Sequence, residues 1–257
     1  MRKKILLITA LLGMIVLLSG CMDVNTPITK DTEGIWANYF VWPLHQLIVY
    51  VSDFFNGSHG IGIIIVTILI RLILVPLNVK QLKSSKAMQE IQPELQKLRE
   101  KYSSKDASTQ QKLQQETMSL FQKHGVNPMA GCLPIIVQMP ILIAFYHAIY
   151  RSEILKDGTF LWFELGSPDP YYILPLIAAG ATFLQQKLMM ASNATAGQNP
   201  QMQMMLYVMP IMIGVFAAFF PSALALYWVV GNIFMVGQTL LIHRPYKKKE
   251  NNGGAKK

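Results

Sequence analysis

The stretch that decides the fold runs Ile61-Gly62-Ile63-Ile64-Ile65-Val66-Thr67-Ile68-Leu69-Ile70-Arg71-Leu72-Ile73-Leu74-Val75-Pro76-Leu77, followed by Asn78-Val79-Lys80. At 1.5 Å per helical residue, about twenty residues cross ~30 Å of hydrocarbon, so Ile61–Leu77 reads as a membrane span. Four similar runs follow: Gly131–Tyr150, Tyr171–Leu188, Met204–Phe220 and Ala223–Ile242, with Pro221-Ser222 between the last two. Joined as one helix, positions 204–242 would reach ~58 Å, twice the bilayer core, so they must fold back. Over all 257 residues, 52% are hydrophobic and 14% charged, against roughly a quarter charged in soluble proteins. This composition excludes an ordinary soluble enzyme, and equally a disordered chain, which needs low hydrophobicity. The expected fold is an all-α polytopic membrane protein with five transmembrane helices, a cytoplasmic helical hairpin and an interfacial helix before the first span.

The start of the chain reads as a processing signal. Met1-Arg2-Lys3-Lys4, an apolar core from Ile5 to Leu18, and Leu18-Ser19-Gly20-Cys21 make a signal peptide over residues 1–20. Its end resembles a bacterial lipobox, which implies a diacylglycerol on the Cys21 sulfur and cleavage before that residue. Acyl chains at ~0.8 kcal/mol per buried CH₂ would anchor the new terminus to the membrane. No other cofactor is expected. Cys132 is then the one remaining thiol, so no internal disulfide can form.

Residues 21–60 form a lipidated extracytoplasmic segment, amphipathic from Ile35 to Phe55. Trp36, Tyr39, Phe40 and Trp42 suit a helix in the interface. Residues 78–125 carry nine Lys and Arg, and the tail from His243 carries six. The loop 151–170 carries only Arg151 and Lys156 against Glu153, Asp157, Glu164 and Asp169. Positive charge marks the cytoplasmic side, which places the 78–125 segment and the 243–257 tail there, and the alternation of the spans puts the 189–203 loop on the same side. An exported terminus followed by five spans gives the same topology. Within 78–125, Met88, Ile91, Leu95 and Leu98, then Leu113, Thr117, Leu120 and Phe121, recur at helical spacing. Ser103-Ser104-Lys105-Asp106 is a turn between two helices, with Asp106 or Ser108 as the cap. The plain alternative is a stiff spacer with a solvated face.

The net charge of +9 does not mark a nucleic-acid binder, because no basic stretch is interleaved with aromatic residues for base stacking. No acid lies within a span, which removes carboxylate proton relays. His45, His59, His124, His147 and His243 are far apart and lack metal-ligand spacing. No nucleophile is paired with a general base, so no enzymatic activity is expected.

Arg71 is the outlier. It stands nine residues before Lys80, roughly 14 Å from the cytoplasmic edge, farther than its stem can snorkel. At mid-bilayer it costs ~2.5–3.5 kcal/mol on insertion scales, and no intramembrane carboxylate exists to pair with it. A water-filled cavity is the remaining solution. Thr67 and Asn78 lie on the same helical face. Gln138 in the second span, Thr182, Gln185 and Gln186 in the third, and Trp228, Asn232 and Thr239 in the fifth supply further polar positions. Singly these are interhelical glue, and Tyr227 and Trp228 also fit an aromatic belt near the outer face. Together with Arg71 they point to a shared polar groove.

The lipobox, Ile70-Arg71-Leu72, Pro76-Leu77-Asn78, Met88-Gln89-Glu90-Ile91-Gln92-Pro93-Glu94 and the run from Gly131-Cys132-Leu133-Pro134 to Gln138-Met139-Pro140 resemble the YidC/Oxa/Alb membrane-protein insertases. The likeness spans the mature chain and matches the five-span lipoprotein form of Gram-positive bacteria. It implies an insertase whose groove opens to cytoplasm and lipid and is closed outside, with Arg71 as the groove arginine. Gln138, Gln185 or Gln186, and Trp228 carry over as groove-lining positions. Nascent membrane proteins, membrane lipids, and secretion-translocon, ribosome or targeting-factor contacts are the implied partners. A small channel or transporter is the competing class, but it lacks the paired halves and ionisable relays such proteins use. A lipoprotein assembly scaffold without insertase activity is the third.

Overall fold

The computed structural model describes residues 26–104, 106–127, 133–190 and 200–253. The expected signal peptide and the lipidation residue Cys21 lie outside them, as do Cys132 and most of the 189–203 loop.

A π-helical turn at Ala37–Val41 leads without a break into α1, Trp42–Phe54, with Pro43 directly after the π-helical stretch. Val41, His45, Ile48 and Ser52 are buried at helical spacing, while Tyr39, Tyr50 and Phe54 are exposed. His45 meets the Ser152 hydroxyl at 2.9 Å. Burial, and then the nearby His59, hold its imidazole below the usual histidine range. Trp36, expected at the interface, is instead buried with Ile28, Ala37, Val41, Ala144 and Ala148, because α1 docks on the second apolar helix there. The segment before α1 is tied down by Arg151, whose Nε donates to the Thr26 carbonyl at 2.7 Å.

α2 runs unbroken from His59 to Glu90 with Pro76 inside it. The polar segment was expected to begin at Asn78, but the helix carries on for three more turns. Asn78 remains buried against the bundle, and only beyond it does the helix emerge. Close approach of α1 to α2 requires a glycine: a Cβ at Gly62 would stand 2.8 Å from the Ile48 carbonyl and would collide with Ser52 Oγ. The polar hairpin is α3, Gln92–Lys101, and α4, Ala107–Lys123. Asp106 is the α4 cap, accepting from Thr109 N at 2.9 Å. Hydrogen bonds from Ser104, Ser108 and Thr109 hold its carboxyl well below the usual range. Ile91, Leu95 and Val126, with Ala87, Met88, Leu120 and Phe121 around them, give the hairpin a small core of its own.

α5 spans Leu133–Tyr150. The following loop is more ordered than its polar sequence foretold. It holds a short helix α6, Glu153–Lys156, and a two-residue antiparallel ladder of β1, Thr159–Phe160, with β2, Phe163–Glu164. Asp169 accepts from Trp162 Nε1 at 3.0 Å and from Leu174 N at 2.6 Å, placing a carboxylate at the start of α7, Ile173–Met190, where the helix dipole favours it. α8 spans Pro200–Phe219 and α9 Ser222–Gly253, with the turn between them at Phe220–Pro221. His59–Met88, Ile173–Met190 and Ser222–Leu241 are long and apolar enough to cross a membrane, and Ile136–Tyr150 and Gln203–Phe219 are shorter apolar helices. The protein is an all-α membrane protein.

The bundle is divided along its length. Its packed core comprises Ile63 and Val66 of α2, Phe145 and Ile149 of α5, Leu174 and Ala178 of α7, Ile213 and Ala217 of α8, and Ala223 to Tyr227 of α9. All of these lie toward the 151–170 loop. The buried polar groups Asn78, Thr182, Gln186, Asn232, Gln238 and Thr239 lie on the hairpin side of that core.

Candidate functional site

Arg71 sits where the apolar core gives way to the polar half. Its Cζ lies 5.6 Å from the centre of the Tyr227 ring on α9. The Nε is buried without a hydrogen-bond partner, and no carboxylate among the described residues pairs with the guanidinium. Tyr227 is itself fixed from below and beside. Its ring packs on Phe145 at 4.5 Å, and its hydroxyl accepts from Gln138 Nε2 of α5 at 2.6 Å. One tyrosine therefore links a cation on α2 to an amide on α5. At 1% exposure it is an interior residue and does not belong to an aromatic belt.

Asn232 Nδ2 donates to Thr182 Oγ1 at 2.7 Å, pinning α9 to α7, and the Thr182 hydroxyl donates to its own Ala178 carbonyl at 2.7 Å. Asn78 Nδ2 reaches Met235 Sδ at 3.5 Å. Since Arg71 meets Tyr227 and Asn78 meets Met235, α2 and α9 descend side by side in one direction. Gln186 Oε1 and both amide atoms of Gln238 are buried with no hydrogen-bond partner among the described residues. A buried amide left this way costs ~1–3 kcal/mol unless water reaches it.

The expected site residues thus divide. Arg71, Asn78, Gln138, Thr182, Gln186 and Asn232 stand in the bundle interior, on its polar side. Thr67 is fully buried, and its hydroxyl is spent on the Ile63 carbonyl at 2.6 Å. Gln185 turns to Met189 of its own helix, Nε2 to Sδ 3.0 Å. Trp228 packs half-buried against the apolar core while its neighbour Tyr227 lies under the guanidinium. Tyr227, Gly231 and Gln238 were missed as members of the site. Their signal was present, because they repeat the i, i+4, i+11 spacing of Trp228, Asn232 and Thr239 one residue earlier, on the adjoining face.

These features define a helical membrane protein whose interior holds a cation with no carboxylate partner among the described residues, where a packed core meets a polar half. The family model described as 60Kd inner membrane protein matches residues 50–250, and the chain belongs to this family, that of the YidC/Oxa/Alb proteins. It is 60% identical over 261 residues to "Membrane protein insertase MisCA" of Bacillus subtilis strain 168, covering 100% of this chain and 99% of that one. It is 63% identical over 254 residues to "Membrane protein insertase YidC" of Oceanobacillus iheyensis, covering 97% of this chain and 100% of the relative. Among solved structures, "Active YidC insertase crystal structure with the first transmembrane domain resolved" superposes with a TM-score of 0.62 at 24% identity. The match covers 79% of this chain and 46% of that one, and it is a likeness of fold.

Proposed function

We propose that this chain is a membrane protein insertase that receives polar substrate segments in a hydrated intramembrane groove around Arg71 and releases hydrophobic helices into lipid. The single observation that carries this is the guanidinium held within the bundle with no carboxylate partner among the described residues. A charge in that position needs water or a visiting anion. The Gln186 Oε1 and the Gln238 amide, without partners among the described residues, extend the same need toward the hairpin end, and the packed core above Arg71 supports closure of the other end. Work of this kind breaks no covalent bond and uses no cofactor. A substrate's acidic segment gains up to ~4 kcal/mol beside Arg71 at 4 Å and an effective dielectric of 20, and the groove shortens the apolar path it must cross. Apolar helices then leave along the exposed face of α8, which presents Met204, Met205, Ile211 and Met212. Nascent membrane proteins are the substrates, met by the hairpin first, with the secretion translocon, ribosome or a targeting factor as further contacts.

The decisive experiment is insertion of a single-spanning substrate into liposomes that contain this protein alone, read as protection of the translocated tail from protease. Insertion above empty liposomes is expected. A scaffold would give none, and a channel would leak ions without protecting the tail.

All five apolar helices cross the membrane in this reading, with the hairpin and tail cytoplasmic and the N-terminus lipid-anchored outside. Single cysteines near Lys101 and Lys248 should react with impermeant reagents only from the cytoplasmic side, and near Asp157 only from outside. Reaction at Lys248 from outside would mean the span count is wrong. Cys21→Ser should block lipidation and leave an uncleaved precursor, longer by the 20-residue leader on a gel. Normal processing of that variant would remove the lipobox reading.

A further inference from the structure

Gly231 lies one helical turn beyond Tyr227 on α9, and the Arg71 guanidinium crosses directly over it. A Cβ placed at Gly231 would stand 2.5 Å from Arg71 Nη2 and 3.0 Å from both Cζ and Nε. Real carbon atoms do not approach a side chain so closely, so the space the guanidinium occupies exists only because this residue has no side chain. From this we infer that Gly231 is the positioning residue of the insertion site: with the Tyr227 ring it forms a seat that fixes the Arg71 charge within the span. The inference rests on the insertase reading above and adds to it the device that decides where the charge stands.

Both halves of the seat are needed. Tyr227 offers a π-face, which attracts a cation most strongly when water is excluded, and Gln138 and Phe145 keep that ring from turning away. The ring alone does not set the guanidinium's distance from α9. An arginine on a lipid-bounded helix gains by extending its stem toward the nearest polar edge, which here is the hairpin end. The gap at Gly231 lets the guanidinium come up against α9 instead. Other glycines in these helices do not serve this purpose. Nothing stands within 4 Å of a Cβ at Gly180 or at Gly237, which is six residues farther along α9.

The contact also separates position from folding. The atoms a new Cβ would meet are the far end of a flexible side chain, with no backbone among them. Alanine is the better helix former by ~1 kcal/mol. Gly231→Ala should therefore leave the bundle as stable as before or more so, while pushing the guanidinium off its seat. Lysine lacks any atom equivalent to Nη2, and its sp³ stem swings freely. The same substitution should then matter little on an Arg71→Lys background.

The test uses the full chain in proteoliposomes with a single-spanning substrate whose translocated tail is acidic. Gly231→Ala should lower the insertion rate by about tenfold, within the range of one cation–π contact, with Tm unchanged or raised. Gly237→Ala should insert as the parent does. On the Arg71→Lys background, Gly231→Ala should cost less than about twofold, the coupling that a double-mutant cycle measures between touching groups. Parental insertion by Gly231→Ala would overturn the seat, and so would an equal loss on both backgrounds, which marks a general packing defect. If Arg71→Ala itself inserts normally, the groove-arginine reading fails. If Arg71→Ala fails while Gly231→Ala is normal, that reading stands and only the seat is wrong.

Discussion

Arg71→Ala should reduce insertion of a substrate with an acidic translocated tail by about a hundredfold or more, while the protein accumulates in the membrane at its normal level. The size follows from the electrostatics. A pair worth up to ~4 kcal/mol at 4 Å corresponds to several hundredfold at about 1.4 kcal/mol per tenfold. Folding should survive because the two costs run in opposite directions. Removing the guanidinium loses its contact with the Tyr227 ring, ~0.5–2 kcal/mol. It also removes a mid-membrane charge that costs ~2.5–3.5 kcal/mol. Arg71→Lys should retain much of the activity, since the charge remains and only the planar fork is lost. Neutral tails should be affected less than acidic ones. The assay is protease protection of substrates that differ only in tail charge, with membrane levels of each variant measured in parallel. Full activity of the alanine variant with acidic tails would mean that hydration and shape suffice. Failure of lysine equal to that of alanine would mean that geometry, not charge, is what the substrate meets.

The sequence showed the membrane class and the odd charge because both are local properties. The run Ile61–Leu77, apolar apart from Thr67 and Arg71, needs no partner to be noticed. The same locality concealed Tyr227. On its own helix it is an aromatic residue a few positions from a turn, which fits a belt as well as a core. Only its burial among Phe145, Gln138 and Arg71 distinguishes the two. Gly231 was concealed for a related reason, since a glycine's purpose is written in the atoms that use its space, and those belong to α2. Thr67 illustrates the opposite error. It shares the face of Arg71, yet its hydroxyl has an acceptor four residues back along the same helix, and β-hydroxyl side chains in apolar helices commonly take it. The helix of the first span runs on past its apolar stretch, because a polar residue can still be buried against the bundle. Asn78 is polar and still lies 8% exposed beside Met235, so α2 is longer inside the bundle than its apolar run.

Removing the hairpin should stop delivery without unfolding the bundle. α4 contains no buried residue, and the residues that α3 and α4 do shelter, Leu95, Leu120 and Phe121, pack with Ile91 and Val126 in a cluster separate from the bundle core. Ile91 and Val126 belong to that same small cluster, so a short Gly-Ser bridge can replace residues Gln92–Lys123 without pulling on α2 or α5. The bundle's own contacts, among them Asn78 to Met235 and Asn232 to Thr182, all lie outside the excised segment. The deleted protein should therefore show an unchanged Tm in detergent. Its insertion activity should fall on the order of tenfold or more, because substrate capture beside the groove supplies a high local concentration that free diffusion does not. The segment is basic and solvent-facing, with Lys97, Arg99, Lys101, Lys112 and Lys123 exposed, so part of that capture is electrostatic. Raised salt should then weaken the intact protein more than the deletion, since exposed charges are screened beyond about 10 Å at 0.1 M. Full activity of the deletion at matched protein levels would reduce the hairpin to a spacer. A lowered Tm would show that its small core supports the bundle after all.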